Sequence, residues 1–187
     1  AYQNAHLAVR YASRVESIRQ LGNDALTRAV ATQYARLLAP KDEYEVARLY
    51  TEGDFLKQLG EQFDGDLRLS FNLAPPVLGK PGPDGRPKKI TFGPWMLPVL
   101  KLLAKARSLR GSWLDPFRFS AEKPVDRQML ADYEADLDLI IQTSGTPEDR
   151  LALAGWPEAV RGFGPVRAQA AEHAMHARET ARSALIA

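Results

Sequence analysis

Two short runs, LRLSFNL at residues 67–73 and KKITF at residues 88–92, alternate apolar and polar side chains with a period of two. Leu67, Leu69, Phe71 and Leu73 fall on one face and Arg68, Ser70 and Asn72 on the other, the pattern of a half-buried strand. Ile90 and Phe92 repeat it. Between the runs lies APPVLGKPGPDGRP, with five prolines and three glycines, which is incompatible with a strand. The reading is a β-hairpin over residues 67–93 with a long loop. Two strands alone are marginal in water, so the apolar face has to pack on helices or on another domain. That requirement sets the expected fold class as α+β, mostly α: a helical domain with one embedded β-hairpin.

The remaining segments carry helical periodicity. Leu7, Tyr11, Val15 and Ile18 recur at helical spacing with arginines around them. Gly22 to Asp24 stops this helix and restarts the chain. Leu26, Val30, Tyr34 and Leu37 repeat the stripe, so the two helices form an antiparallel hairpin. Pro40 fits the first turn of a third helix, KDEYEVARLY, with Asp42 and Glu43 at its positive end. Thr51 and Asp54 resemble a capping box for a short helix ending at Phe63. After the hairpin, an apolar helix runs from Trp95 to Leu109, burying Leu97, Leu100, Leu103 and Ala104, with Pro98 tolerated in its first turn. RGSWLDPFRFS is an aromatic-rich irregular connection. A helix from Val125 to Gln142 buries Leu130, Tyr133, Leu137 and Ile141. Thr146-Pro147-Glu148-Asp149 caps the next, and Gly155 stops it. Gly162-Phe163-Gly164-Pro165 breaks the chain before a last helix, whose Ala170, Ala174, Ala177 and Ala181 suit close helix contact. The expected order is helices over 1–63, the hairpin over 67–93 and helices over 95–187, in one domain.

A chain of 187 residues can bury a substantial core. Its 25 basic and 23 acidic residues leave a net charge of +2, without the electrostatic footprint of a dedicated nucleic-acid binder. There is no cysteine, which excludes disulfides, Cys-ligated zinc or iron–sulfur clusters and a thiol nucleophile within these residues. That composition fits a cytoplasmic protein. No apolar run approaches the ~20 residues of a membrane span, and no signal peptide is visible. The chain starts without Met, and its first residues already read as helix with no cap signal. The expectation is a piece excised from a longer polypeptide.

Several separated motifs occur in a defined order: YARLLAPKDEYEVARLY from Tyr34, FNLAPP from Phe71, GPWM from Gly93, LRG and DPF between Leu109 and Phe117, and RGFGPV from Arg161. The resemblance they carry covers nearly the whole chain. In this order the chain resembles the C-terminal domain of the long, fused bacterial indolepyruvate ferredoxin oxidoreductases, of the 2-oxoacid:ferredoxin oxidoreductase family. One departure is Pro40, where the family pattern has an ordinary helix former. The resemblance implies a parent enzyme that decarboxylates aryl-pyruvates oxidatively, with thiamine diphosphate, Mg2+ and [4Fe-4S] clusters, passing electrons to ferredoxin and the acyl group to coenzyme A. In such enzymes those cofactors lie in earlier segments. It therefore implies an accessory domain with no catalytic, cofactor-binding or metal-binding residue of its own. The implied partners are the catalytic segments of the same polypeptide and, through a homo-oligomeric parent, ferredoxin; neither nucleic acid nor membrane is implied. A free-standing helical interaction module is the alternative.

The residues themselves offer few chemical constellations. Asp42 and Glu45, one turn apart, are an acid–base candidate, but a solvated helix face with Lys41–Glu45 and Glu45–Arg48 pairs explains them. His173 and His176 are within reach of one metal ion, yet His6 is remote and no HExxH-type carboxylate accompanies them, so surface histidines are the simpler reading. Arg161 to Gly164 can present backbone N–H groups to a phosphate, or merely break a helix. Lys80, Arg86, Lys88 and Lys89 form a basic cluster that suits coenzyme A, an acidic electron carrier or RNA, or simply a solvated hairpin tip. Trp95, Trp113, Phe117 and Phe119 read as core or interface anchors rather than a base-stacking platform. Of these, Trp113, Phe117 and Phe119, in a connection bounded by Gly111 and Pro116, are the candidate interface.

Overall fold

The computed structural model describes residues 3–74, 89–118, 122–162 and 165–187. Eight α-helices and one two-stranded antiparallel sheet make up the regular structure among them, so the fold is α+β and mostly α. The chain divides into two compact units, one of Ala1–Pro40 with Glu122–Ala187, the other of Lys41–Ala121. The second unit is thus inserted in sequence between two halves of the first.

The first unit contains α1 (Ala5–Arg19), α2 (Asp24–Leu38), α6 (Glu122–Gln142), α7 (Pro147–Gly155) and α8 (Pro165–Ile186). Both expected N-terminal stripes face inward. Ile18 is buried with Leu7 and Tyr11 packed beside it, and Leu26, Val30, Tyr34 and Leu37 are all buried. The start of α1 differs from expectation. Asn4 caps it by accepting the Leu7 N–H at 2.9 Å, which removes the sequence argument that rested on a missing cap. Gly22, in the left-handed conformation at φ 72°, ends the turn after α1, and Asn23 caps α2. On α6 the buried face is Met129, Tyr133, Leu137 and Ile140, a slight rotation from the expected stripe, for Leu130 and Ile141 are only partly covered. The helix also begins three residues earlier than Val125. Thr146 caps α7 as its sequence suggests, accepting the Asp149 N–H at 3.1 Å and donating to the Asp149 carboxylate at 2.6 Å. The close-packing alanines of α8 are Ala171 and Ala174, whereas Ala177 is exposed.

A buried carboxylate ties these helices together. Asp136 is fully buried on α6. It accepts the Trp156 indole N–H at 3.1 Å, two N–H groups of Arg178 at 2.6 and 3.0 Å, and one of Arg182 at 3.0 Å. Arg178 also lies 3.3 Å from the Asp132 carboxylate, so two anions meet two cations. Burial works against the Arg178 charge, but the hydrogen bond and charge of Asp136 outweigh it and raise its pKa. The cluster joins α6, α8 and the 3-10 turn that follows α7. A second link runs from Arg10, bidentate on Glu134 at 2.9 and 2.6 Å, to the Tyr34 hydroxyl, which donates to the same carboxylate at 2.5 Å. Burial and the Glu134 bond push the Tyr34 hydroxyl up to about 12.

The second unit contains α3 (Glu43–Thr51), α4 (Phe55–Gln62), β1 (Phe71–Leu73), β2 (Ile90–Phe92) and α5 (Met96–Lys105), with a 3-10 turn over Ala106–Leu109. The expected hairpin is present, with Phe71 opposite Phe92, Asn72 opposite Thr91 and Leu73 opposite Ile90. Phe71 is buried, Leu69 half-buried, and Arg68 and Ser70 exposed, as the alternation requires. The first strand is shorter than expected: residues 67–70 do not pair, and Leu67 is exposed. Two helix starts also differ. Pro40 precedes α3 rather than entering it, because Asp42 takes the capping position and accepts the N–H groups of Tyr44 and Glu45. Thr51 is the last residue of α3, its hydroxyl donating to the Ala47 carbonyl at 2.8 Å, so the expected Thr51–Asp54 capping box does not form. The helix from Trp95 tightens at Ala106 into the 3-10 turn instead of continuing to Leu109.

The two cores differ in size. Among the described residues, seventeen buried side chains form the cluster of the first unit and six, Ala47, Phe71, Phe92, Met96, Leu100 and Ala104, that of the second. Removing one partner of a buried charge cluster strands the other. Asp136→Ala is therefore expected to lose about 3–5 kcal/mol in urea unfolding, because it leaves the Trp156 N–H without its acceptor and Arg178 with Asp132 as its remaining anion. A loss below ~1 kcal/mol would show that the cluster does not hold these helices together.

Candidate functional site

The connection after α5, residues 110–118, holds the described members of the candidate interface, and its shape follows from Asp115. This carboxylate is 2% exposed. It accepts the Gly111 N–H at 2.8 Å, the Phe117 N–H at 2.9 Å and the Tyr44 hydroxyl at 3.0 Å. An aspartate that binds nearby backbone N–H groups closes a compact turn. Gly111 takes the left-handed conformation at φ 73° that the turn needs. With its ends drawn onto Asp115, the turn carries its middle residues outward. Trp113 is 79% exposed and Leu114 52% exposed. Phe117 turns the other way, meeting the Tyr44 ring edge-on at 5.4 Å. Phe119 lies outside the described residues. Trp113 thus presents a free ring, and Phe117 is an internal strut.

Tyr44 is the second anchor. Burial, and then its bond to Asp115, push its hydroxyl up to about 12. Over its ring, at 5.6 Å, sits the Arg110 guanidinium. Arg110 places Nε 2.6 Å from the Asp42 carboxylate, a close ion pair that is not aligned as a hydrogen bond, and Nη2 3.9 Å from Glu45. Glu45 is also bound by Arg48 at 2.8 Å. Asp42 and Glu45 therefore belong to one charge network, but not as an acid–base pair. Each is held by a guanidinium, and Asp42 already caps α3. The expected solvated face is a correction as well: Glu45 is buried, and Lys41 pairs with Glu43 at 3.6 Å rather than with Glu45.

The other candidates are not brought together. His173 and His176 are exposed on α8, and no group of three or more His, Cys, Asp or Glu is placed to hold a metal among the described residues. Arg161 donates to the Glu158 carbonyl at 3.1 Å and pairs with its carboxylate at 3.3 Å, while Phe163 and Gly164 lie outside the described residues. Of the basic cluster only Lys89 is described, and it is exposed; Lys80, Arg86 and Lys88 lie outside. A cavity of about 310 Å³ beside β1, lined by Tyr50, Phe55 and residues 69–73, contains no ionisable group other than the Tyr50 phenol. In the first unit a shallow groove of about 710 Å³ between α7 and α8 is lined mainly by alanines, Trp156 and Glu158. Neither cavity gathers a nucleophile, a base and an anion-stabilising donor.

What the site does present is apolar surface. Among the described residues, eight large apolar side chains are exposed in the second unit: Leu49, Phe63, Leu67, Trp95, Val99, Leu102, Trp113 and Leu114. The larger first unit exposes five. Trp95, expected as a core or interface anchor, is 60% exposed and touches Phe92 edge-on at 5.7 Å. Asp115, Arg110 and the Asp136 cluster escaped the sequence reading. For Asp115 the Asp-Pro step after Ser-Trp-Leu was a turn signal, but nothing local marks an arginine that reaches back to a helix start.

Anchor and tip respond differently to substitution. Asp115→Ala is expected to cost about 3 kcal/mol in denaturant unfolding, since three donors lose a buried anion. Trp113→Ala is expected to stay within ~0.5 kcal/mol, as an exposed ring contributes little to the fold. Equal losses at both positions would contradict this division.

Comparison with known proteins adds one result. No curated protein and no solved structure matches the chain. A family model matches residues 1–180, and on that extent the chain belongs to the family of unknown function DUF6537.

Proposed function

We propose that this chain is an accessory docking domain of an indolepyruvate ferredoxin oxidoreductase, packing on the catalytic segments of the same polypeptide and supporting their assembly. The observation that carries the docking role is the imbalance of the second unit, where, among the described residues, eight large apolar side chains are exposed beside a core cluster of six buried ones. The assignment to this enzyme rests on the ordered sequence motifs. With no cysteine in the chain, the ligands of the [4Fe-4S] clusters lie in other segments, and thiamine diphosphate with Mg2+ is placed there by the same resemblance. The chain's own contribution is surface. Its buried carboxylates Glu45 and Asp136 are tied to arginines, and the rings of Trp113 and Trp95 are largely exposed. The parent reaction is oxidative decarboxylation of an aryl-pyruvate in the cytoplasm, with electrons leaving to ferredoxin.

The experiment is to express the parent polypeptide without residues 1–187 and assay assembly and indolepyruvate-dependent ferredoxin reduction. Loss of either, restored by adding the 187-residue chain in trans, is the expected result. Full activity and normal assembly without the chain would contradict the proposal and favour a free-standing interaction module.

A further inference from the structure

Helix α5 has two apolar faces. Met96, Leu100 and Ala104 are buried against the rest of their unit. On the other side Trp95, just before the helix, with Val99 and Leu102, are 60%, 47% and 70% exposed. Their spacing of four and then three residues makes a single seam, the width that one facing helix covers. An apolar face on a helix is normally covered. Beside the seam stand Lys101 and Lys105, both exposed, and neither forms an ion pair with a described carboxylate. No Asp or Glu occurs anywhere in residues 85–114, which hold seven Lys and Arg. Arg107 and Arg110 pair with Glu52 and Asp42, while on α5 itself Lys101 and Lys105 give the apolar seam a cationic border along one side.

We infer that the outer face of α5 is the docking seam itself, and that its occupant is an amphipathic helix whose apolar stripe is flanked by Asp or Glu. The inference deepens the docking role proposed above and rests on it; the occupant belongs to a segment of the same polypeptide outside these residues. Charge complementarity selects the acidic border, because it gives Lys101 and Lys105 partners when the seam closes. The same charges oppose a second copy of this chain, which would set four lysines against one another. A seam one residue wide suits a helix better than a bilayer, which rewards a broad apolar face.

The test places a photo-reactive residue on the seam, Leu102→p-benzoylphenylalanine, in the full polypeptide, with the same replacement at Leu151 of the first unit as control. Cross-linked peptides are mapped by mass spectrometry. The expected product joins position 102 to an acidic-bordered helical peptide outside residues 1–187. The charge-reversed pair Lys101→Glu/Lys105→Glu should lower its yield at least about tenfold, and the neutral pair Lys101→Gln/Lys105→Gln less. Circular dichroism checks that these exposed positions leave the fold intact. Cross-linking to residues 1–187 of another copy, co-sedimentation with phosphatidylglycerol vesicles, or a yield no higher than at Leu151 would each overturn the inference. The two readings separate cleanly. A product on a polypeptide that lacks indolepyruvate-dependent ferredoxin reduction keeps the seam and removes the enzyme assignment. A chain that restores that activity in trans without the cross-link does the reverse.

Discussion

Helix α5 carries apolar side chains on two faces, with Lys101 and Lys105 beside them, and its own unit covers only one of those faces. Much of the organisation of residues 41–121 follows from that constraint. The covered side, Met96, Leu100 and Ala104, needs a surface, and Ala47 of α3 together with Phe71 and Phe92 of the hairpin supplies it. The hairpin in turn needs this core, since two three-residue strands have no independent stability. Among the described residues this cluster holds six buried side chains, and polar anchors take over where apolar burial stops. Asp115 fixes the connection, and Asp42 with Arg110 secures the start of α3.

The first unit solves the same problem in another way. Its seventeen-residue core is large enough to enclose a charged group, and Asp136 sits within it, satisfied by Arg178, Arg182 and the Trp156 N–H. Such a cluster adds direction more than net stability, because desolvating the ions offsets much of their attraction. It orients α6 and α8, whose small buried residues Ala171 and Ala174 specify little on their own. The second unit exposes Trp113 and Trp95, the surface on which the proposed docking rests.

The fold class was legible because it depends on periodicity. The period-two alternation around Phe71 marked the hairpin, and the stripes at Leu26, Val30, Tyr34 and Leu37 marked a buried helix face. Boundaries were less legible. Thr51 ended a helix instead of capping the next, since a threonine hydroxyl bonds as readily back to the carbonyl four residues earlier. Of the candidate interface, Trp113 emerged as a free ring and Phe117 as a strut, and only Asp115 distinguishes them. A buried aspartate between a tryptophan and a phenylalanine carries no local sign of burial. Arg110 and Arg178 were hidden for a related reason: their carboxylates lie 68 and 42 residues away in sequence, at Asp42 and Asp136. Pairings made by tertiary structure have no periodicity to read.

Amide hydrogen exchange, followed by mass spectrometry on the 187-residue chain alone and then with the catalytic segments added, addresses the central claim most directly. If the second unit is completed by docking, α5 exchanges faster than α2 and α6 in the isolated chain, because its outer face is uncovered and its core is small. On assembly α5 then gains protection while α2 and α6 stay as they were. An α5 already as protected as α2 in the isolated chain, and unchanged on addition of the catalytic segments, would contradict the account.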